Sequence, residues 1–133
     1  MLGAIHPTKD MDSKPYWEWL QKEDFRLQKC DGCGKFRFPP YPSCPYCGKA
    51  GGDWVYLSGK GKIYSWFVAN VTPEPRYKED VPYIIATIQL EEGPRIVSRL
   101  VDCPPDKVKG DMPVKGKYHR VDKDLVLYVF EPA

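Results

Sequence analysis

A cysteine-rich stretch constrains this chain more than any other part of its sequence. Residues 30–49, CDGCGKFRFPPYPSCPYCGK, hold two Cys-x-x-Cys pairs, Cys30/Cys33 and Cys44/Cys47, with ten residues between the pairs. Four thiolates presented by two tight turns are the ligand set of a tetrahedral site for zinc or a single iron. A glycine follows each pair, where a turn of positive φ favours that residue. We therefore predict one metal ion bound by these cysteines, and not four unpaired core thiols.

The cysteines alone leave the identity of the ion open. The segment CPYCG resembles the second knuckle of rubredoxin, in which iron carries one electron. Four protein ligands leave no position for water or substrate, which is typical of a structural ion. Because no flavin site or other redox motif accompanies the cysteines, we favour one structural zinc, with an electron carrier as the alternative. Any chemistry would then lie elsewhere.

Composition adds few limits. The chain has 133 residues, of which 42% are hydrophobic and 29% charged, as in an ordinary globular protein. No apolar run approaches the roughly 20 residues of a membrane-spanning helix, and the first residues lack the pattern of a secretory signal. We expect a cytoplasmic protein, in which paired cysteines more often bind metal than form disulfides. A net charge of +2 indicates no particular partner.

The rest of the sequence predicts a short helix followed by strands. Residues 1–13 are polar without periodicity and are interpreted as a flexible arm. The segment SKPYWEWLQKEDF starts with a capping serine, Ser13, and has Pro15 in the first turn. Later segments such as PYIIATIQLEEG alternate and are rich in β-branched residues. The segment CPPDKVKGDMP has room for at most one helical turn.

A few antiparallel strands avoid open edges by closing into a barrel. The strand count, and the short interruption after the third barrel strand, fit a five-stranded OB-fold. We predict a mainly β protein with a helix and a rubredoxin-like zinc ribbon over residues 14–57 and the barrel over 58–133.

Candidate catalytic groups are sparse. His6 lies in the arm, and His119 lies on a strand among lysines and an arginine, so neither has an evident partner to tune it. Cys103 precedes two prolines at a strand end and is interpreted as a small apolar residue. SGKGK, at 58–62, lacks the full phosphate-loop pattern. By itself the chain is predicted not to be an enzyme.

Six segments together resemble a known family. They are KPYWEWL, CDGCGKFRFPPYPSCPYCG, WVYLSGKGKIYSW, VPYIIATIQLEEGPRIVSRLVD, VKGKYH and LVLYVFEP. Over roughly residues 14–131 they are similar to bacterial and archaeal acyl-CoA-associated proteins with a helix, a rubredoxin-like zinc ribbon and an OB-fold.

The resemblance implies a role and a ligand set. The role is that of an accessory subunit in a hetero-oligomer with a thiolase-like enzyme, an acyltransferase or retro-aldolase whose partner chain carries the catalytic residues. The implied setting is a degradative acyl-CoA pathway, with the CoA thioester shared between the chains. The implied zinc ligands are Cys30, Cys33, Cys44 and Cys47.

Two surfaces follow as hypotheses. Six aromatic residues exceed what a small ribbon can bury and are predicted to contact the partner, since interface cores favour aromatic residues: Tyr16, Trp17, Trp19, Phe36, Phe38 and Tyr41. The alternative is that some of them pack the ribbon on its own helix. Four basic residues are predicted neighbours of the CoA phosphates: Lys35, Arg37, Lys60 and Lys62.

A different class of function stays open. OB-folds bind single-stranded nucleic acid through basic grooves with stacked aromatic residues. Residues 107–120 contain five Lys or Arg against one Asp, and Tyr64, Trp66 and Tyr118 could stack on bases. The low net charge argues against this alternative.

Overall fold

The computed structural model describes residues 2–133. After the N-terminal arm, the chain forms a helix and a small sheet. Helix α1 spans Lys14–Gln21. The sheet is antiparallel, with the order β2-β1-β3. Its strands are β1 (Arg26–Lys29), β2 (Phe36–Arg37) and β3 (Asp53–Tyr56). Both Cys-x-x-Cys pairs lie in the connections of this sheet, so the helix, sheet and cysteines form the predicted ribbon.

The remaining strands close into a barrel with the order β4-β5-β6-β8-β7. They are β4 (Lys60–Ala69), β5 (Tyr83–Leu90), β6 (Arg95–Leu100), β7 (Pro113–Asp122) and β8 (Leu125–Pro132). Neighbours are antiparallel except β6 and β8, which are parallel. A single turn of 3-10 helix, Pro105–Lys107, lies between β6 and β7. The predicted five-stranded OB-fold is confirmed.

One apolar core joins the ribbon to the barrel. Strand β5 buries alternate residues, from Ile84 to Leu90, as its pattern predicts. Strand β8 is buried along most of both faces, because α1 packs on it. The same core cluster includes Phe25 and Leu27, at the start of the ribbon.

Helix α1 begins where the sequence predicts, but its cap differs. Ser13 is the N-cap residue, yet its side chain accepts no capping hydrogen bond from the helix. Its hydroxyl instead accepts from the Asp10 N–H at 3.2 Å, and its own N–H donates to the Asp10 carboxylate at 2.8 Å. This reciprocal pair turns the chain into the helix, which then buries Tyr16 and Leu20.

The N-terminal arm lies against the turn between β7 and β8. The Lys9 ammonium donates to the Asp124 carbonyl at 2.6 Å, and His6 lies 2.9 Å from the Asp122 carboxylate. Both contacts are at the surface; the flexibility predicted for the arm stays a prediction. Over residues 2–133, no helix combines the length and apolar character needed to cross a membrane.

Candidate metal centre and adjoining surfaces

The four predicted cysteines converge on one point. Their sulfurs all lie within 4.8 Å of one another, with 3.5 Å between Cys30 and Cys47 and 3.6 Å between Cys33 and Cys44. A tetrahedral site with metal–sulfur bonds of about 2.3 Å has sulfur–sulfur edges of about 3.8 Å. The donor set therefore fits a tetrahedral ion. Within residues 2–133, no other group of at least three His, Cys, Asp or Glu side chains clusters in this way.

The two knuckles repeat the same backbone pattern. The Cys30 N–H donates to the Lys35 carbonyl at 2.9 Å, and the Gly34 N–H donates back to the Cys30 carbonyl at 2.9 Å. In the second knuckle the equivalent bonds join Cys44 to Lys49 and Gly48 to Cys44, each at 2.8 Å. Gly34 and Gly48 have φ of 77° and 81°, which confirms the predicted turns.

Backbone amides prepare the sulfurs for metal binding. The N–H groups of Cys33 and Gly32 donate to the Cys30 sulfur at 3.4 and 3.3 Å, and they lower the pKa of that thiol to about 6. The Tyr46 N–H donates to the Cys44 sulfur at 3.4 Å. Since thiolate is the form that binds metal, these amides favour the liganding state.

Each knuckle has one inner and one outer cysteine. Cys30 and Cys44 are 2% and 3% exposed, whereas Cys33 and Cys47 face solvent. At the surface, the Lys49 ammonium lies 3.2 Å from the Asp31 carboxylate and links the two knuckles. The centre is therefore at the tip of the ribbon, with half of its ligands covered.

The four basic residues predicted to meet CoA do not lie together. Lys60 and Lys62 are exposed and line one cavity of about 500 Å³, where Lys62 is 3.7 Å from the Asp111 carboxylate. Lys35 lines another crevice, with its ammonium 4.6 Å from the centre of the Tyr46 ring. The two exposed lysines of β4 thus share one cavity, and Lys35 lies at a different one.

Arg37 has a different environment from the lysines. It is 3% exposed. Its guanidinium donates to the carbonyls of Tyr41 and Gly51 at 3.2 and 2.5 Å. This places the charged group inside the ribbon, away from any phosphate at the surface of the chain.

The six aromatic residues predicted to meet a partner divide into inner and outer members. Tyr16 is 7% exposed and packs edge-on against Trp17 and Phe38. Trp17, Phe36 and Phe38 are partly buried against the core. This internal packing matches the alternative stated for the ribbon and its helix, and Tyr16 presents little surface to a partner.

Trp19 and Tyr41 are the outer members of the set. The Trp19 ring is half-buried beneath the cations of Lys22 and Arg26, which lie 5.1 and 4.4 Å from its centre. Tyr41 is 45% exposed. Tyr41 is therefore the member that presents the most ring surface to a second protein.

A groove of about 600 Å³ lies beside Tyr41. Its walls come from the arm, α1, the segment 38–42 and strands β6 and β8. Trp17, Phe38 and Tyr41 line it from the helix and the ribbon, and Val97 and Val129 line it from the barrel. The groove is thus largely apolar and joins the ribbon to the barrel.

An exposed apolar strip on the barrel was not predicted from the sequence; in it, Phe67 and Val97 are 59% and 60% exposed. The strand register places Phe67 beside Ile85 and places Thr87 beside Val97. The alternation of β4 is interrupted by a bulge between Ile63 and Ser65, so period two along the sequence does not assign the face of Phe67. The adjacent aromatic residues Trp66 and Phe67 were the sequence signal that could have indicated this exposed strip, since neighbours in a regular strand point to opposite faces.

The remaining candidate groups lie apart from the metal centre. His119 is half-buried on β7 opposite Leu127, and His6 contacts Asp122. Cys103 is half-buried, and burial raises the pKa of its thiol.

Comparison with known proteins gives two family matches. Residues 17–51 match the rubredoxin-like zinc ribbon domain of ChsH2, and residues 54–119 match the ChsH2 C-terminal OB-fold domain. The two matches meet just before β3 is complete, so most of this strand of the small sheet lies within the OB-fold match.

Three curated relatives carry different names. A DUF35 domain-containing scaffold protein of Methanocaldococcus jannaschii is 40% identical over 92% of this chain and 88% of its own length. A probable enoyl-CoA hydratase alpha subunit of Thermomonospora curvata is 37% identical over 96% of this chain, which spans only 39% of that relative. The benzoylsuccinyl-CoA thiolase subunit BbsA of Thauera aromatica is 36% identical over 57% of this chain and 51% of its own length.

A solved structure gives the same match in three dimensions. A chain of the Ltp2-ChsH2(DUF35) aldolase superposes with a TM-score of 0.85 at 36% sequence identity. The match covers 96% of this chain and 98% of that chain. Ribbon and barrel therefore occur together, in this order, in a chain of closely similar length.

Proposed function

The chain belongs to the DUF35 family of scaffold proteins, which includes the ChsH2 ribbon and OB-fold chains, and we propose that it is a non-catalytic accessory subunit of a thiolase-like enzyme. In this proposal the partner carries the residues that form or cleave a carbon–carbon bond next to a CoA thioester. The observation that carries the proposal is the match, along almost the whole chain, to a chain of the Ltp2-ChsH2(DUF35) aldolase.

Zinc is the proposed ion. Cys30, Cys33, Cys44 and Cys47 would hold it, and the closed set of four thiolates gives it a structural role. Bound zinc would fix the tip of the ribbon, since metal binding contributes directly to the folding of such small motifs.

The groove beside Tyr41 is the proposed contact with the partner. Trp17, Phe38 and Tyr41 supply partly exposed aromatic surface, and Pro39 and Pro40 restrict the backbone of the same wall. Interface cores are enriched in aromatic residues, and a preformed wall loses little conformational freedom when it is covered. The exposed Val97 extends this apolar surface onto the barrel.

The CoA thioester is proposed to reach this chain at Lys60 and Lys62. Both ammonium groups are exposed beside one cavity, and a lysine ammonium binds phosphate oxygens as a point charge. Their substitution is expected to weaken acyl-CoA binding by the complex, while the complex itself persists.

Co-purification with the thiolase-like protein of the same source tests the accessory role. We expect a complex of fixed stoichiometry by native mass spectrometry, with one zinc per copy of this chain. Wild-type protein that neither binds that enzyme nor changes its activity would refute the proposal.

A matched pair of variants tests the groove. Tyr41→Asp introduces a charge into the groove, whereas Tyr56→Asp changes a tyrosine that is 60% exposed on β3 and lies outside the groove lining. A central aromatic contact is worth 2 kcal/mol or more, so Tyr41→Asp should weaken the complex by about 30-fold. Equal behaviour of the two variants would reject the groove and leave the accessory role intact.

Single-stranded nucleic acid is the second candidate ligand, supported by the exposure of Tyr64 and Trp66. The third aromatic residue predicted to stack, Tyr118, is engaged internally, because its hydroxyl accepts from the Phe25 N–H at 2.9 Å. A fluorescence titration with an oligonucleotide at two salt concentrations separates the functions. Tight, salt-dependent binding would favour this alternative.

A further inference from the structure

Arg37 is a buried charged residue among the described residues, and neither the partner groove nor the CoA contact proposed above explains why it is buried. Its guanidinium is almost fully covered, and the hydrogen bonds found for it go to two backbone carbonyls and to no carboxylate. One terminal nitrogen, Nη1, is buried without a hydrogen-bond partner. Burial of a cation without a counter-charge is costly, so a compensating structural gain is expected.

The two carbonyls lie at the base of the second knuckle. Tyr41 precedes that knuckle, and Gly51 follows it. Between them the chain is closed by the bridge between Ser43 and Ala50 and by a hydrogen bond from the Gly51 N–H to the Pro42 carbonyl at 3.2 Å. The guanidinium therefore binds both ends of the loop that carries Cys44 and Cys47.

The other side of the same arginine belongs to the first knuckle. Arg37 lies on β2 and pairs with Gln28 on β1, and β1 leads directly into Cys30. The rigid, planar guanidinium of Arg37 thus connects the strands on either side of Cys30 and Cys33 to the loop that carries Cys44 and Cys47.

Gly52 allows this close arrangement. A Cβ added at Gly52 would lie 2.8 Å from the Lys29 carbonyl oxygen and 3.4 Å from Arg37 Nη1, and the residue has φ of 138°. A side chain there would push the loop away from β1 and from the guanidinium. Only glycine accommodates both the backbone angle and the contact.

We propose that Arg37 is the positioning residue of the metal centre, which holds the second pair of cysteines at the spacing that the ion requires. Residues that orient metal ligands through hydrogen bonds commonly change metal affinity by about 10- to 100-fold. Tyr41 also lines the groove, so its hydrogen bond with the Arg37 guanidinium helps to fix the groove wall. This second consequence rests on the proposed function.

Metal release is the direct test, and it requires no partner. The zinc-loaded chain is mixed with a chromogenic chelator, and the rate of zinc transfer is recorded for wild type, Arg37→Met, Arg37→Lys and Lys49→Met. Lys49 is the matched control because it also links the knuckles, but through a solvent-exposed ion pair with Asp31. Exposed pairs contribute little to stability.

The expected order of release rates is specific. Arg37→Met should release zinc about tenfold faster or more, in the range typical of residues that orient metal ligands. Arg37→Lys should also release zinc faster, since one ammonium cannot reproduce the fork to two carbonyls. Lys49→Met should stay within about twofold of wild type.

Several outcomes would overturn the proposal. Wild-type release from Arg37→Met, or equal acceleration in Arg37→Met and Lys49→Met, rejects a positioning role. If Arg37→Met does not fold, Arg37→Lys decides, because it keeps the charge and most of the buried stem; wild-type release from it rejects the proposal. Failure of the partner to bind leaves the zinc measurement unchanged, so the two proposals fail separately.

Discussion

Strands of the ribbon are no longer than four residues, whereas those of the barrel run from six to ten. The barrel buries apolar side chains from all five of its strands, which is a sufficient apolar core. In the ribbon, the segment from residue 31 to residue 51 buries little apart from Arg37 and Cys44. A short segment without an apolar core can therefore be held by metal ligands and buried hydrogen bonds instead.

Removal of one inner thiolate should have the largest effect. Cys44→Ser takes away a buried ligand, and structural zinc contributes about 10–16 kcal/mol of apparent binding free energy in zinc-finger peptides. We expect loss of the ion and rapid hydrogen exchange over residues 30–51, with slow exchange retained in β5 and β8. Metal analysis and hydrogen-exchange mass spectrometry measure both, with Cys103→Ser as the control outside the cluster. If hydrogen exchange became equally fast in the ribbon and in the barrel, the two regions would not be stabilised independently.

A cavity in the barrel should lower the stability of the chain without loss of the metal ion. Phe130 is fully buried, and Phe130→Ala should lower the free energy of unfolding by about 3–5 kcal/mol. Because the knuckles are closed by their own bonds, the folded variant should still bind one zinc. Urea unfolding gives the first quantity and metal analysis the second. Phe67→Ala, at an exposed phenylalanine of the same barrel, should change stability by about 0.5 kcal/mol or less.

The contact between the two regions can be tested at a glycine. A Cβ at Gly116 would fall on the ring of Tyr128, which stacks on Phe25 with ring centres 3.9 Å apart. Gly116→Ala should displace that ring and lower stability by about 1–3 kcal/mol, with faster exchange around Phe25. Thermal unfolding with hydrogen exchange is the measurement. Gly110→Ala is the control, since its added Cβ would meet only Trp66 at 3.9 Å; equal losses would contradict the role of the stack.

The sequence was sufficient where the signal is local. Cysteine spacing predicts the metal site because each knuckle is a short turn with its own hydrogen bonds. Alternation predicts β5, since the buried side chains of that strand repeat with period two. The OB-fold followed from strand count and from the absence of open edges in a small sheet.

Other features depend on contacts between distant segments, and the sequence could not supply them. Arg37 was predicted to neighbour the CoA phosphates, yet its side chain is buried. Nothing near it in the sequence indicates that residues 41 and 51 fold over it. Tyr16 was predicted to meet a partner, yet it packs against Phe38 across the ribbon. The groove requires the arm, the ribbon and two barrel strands, which only the tertiary structure brings together.

The smallest expected effect concerns the arm. The Asp124 N–H and then the His6 ring hold the pKa of Asp122 below its ordinary value of 3.8. A lowered carboxyl pKa stabilises the folded state above that value, and the contribution is lost as the pH falls through the folded pKa. Backbone relaxation of residues 2–13 should therefore show a mobility transition below about pH 4 in wild type. Asp122→Asn should make the arm mobile already at pH 7, whereas Asp124→Asn should keep the transition because Asp124 contributes its backbone. Acid release of the metal is common to all three proteins, so the difference between them reports the arm. A transition that persists in Asp122→Asn would assign the acid response to another group, such as the Asp10 carboxylate, which accepts from the Ser13 N–H.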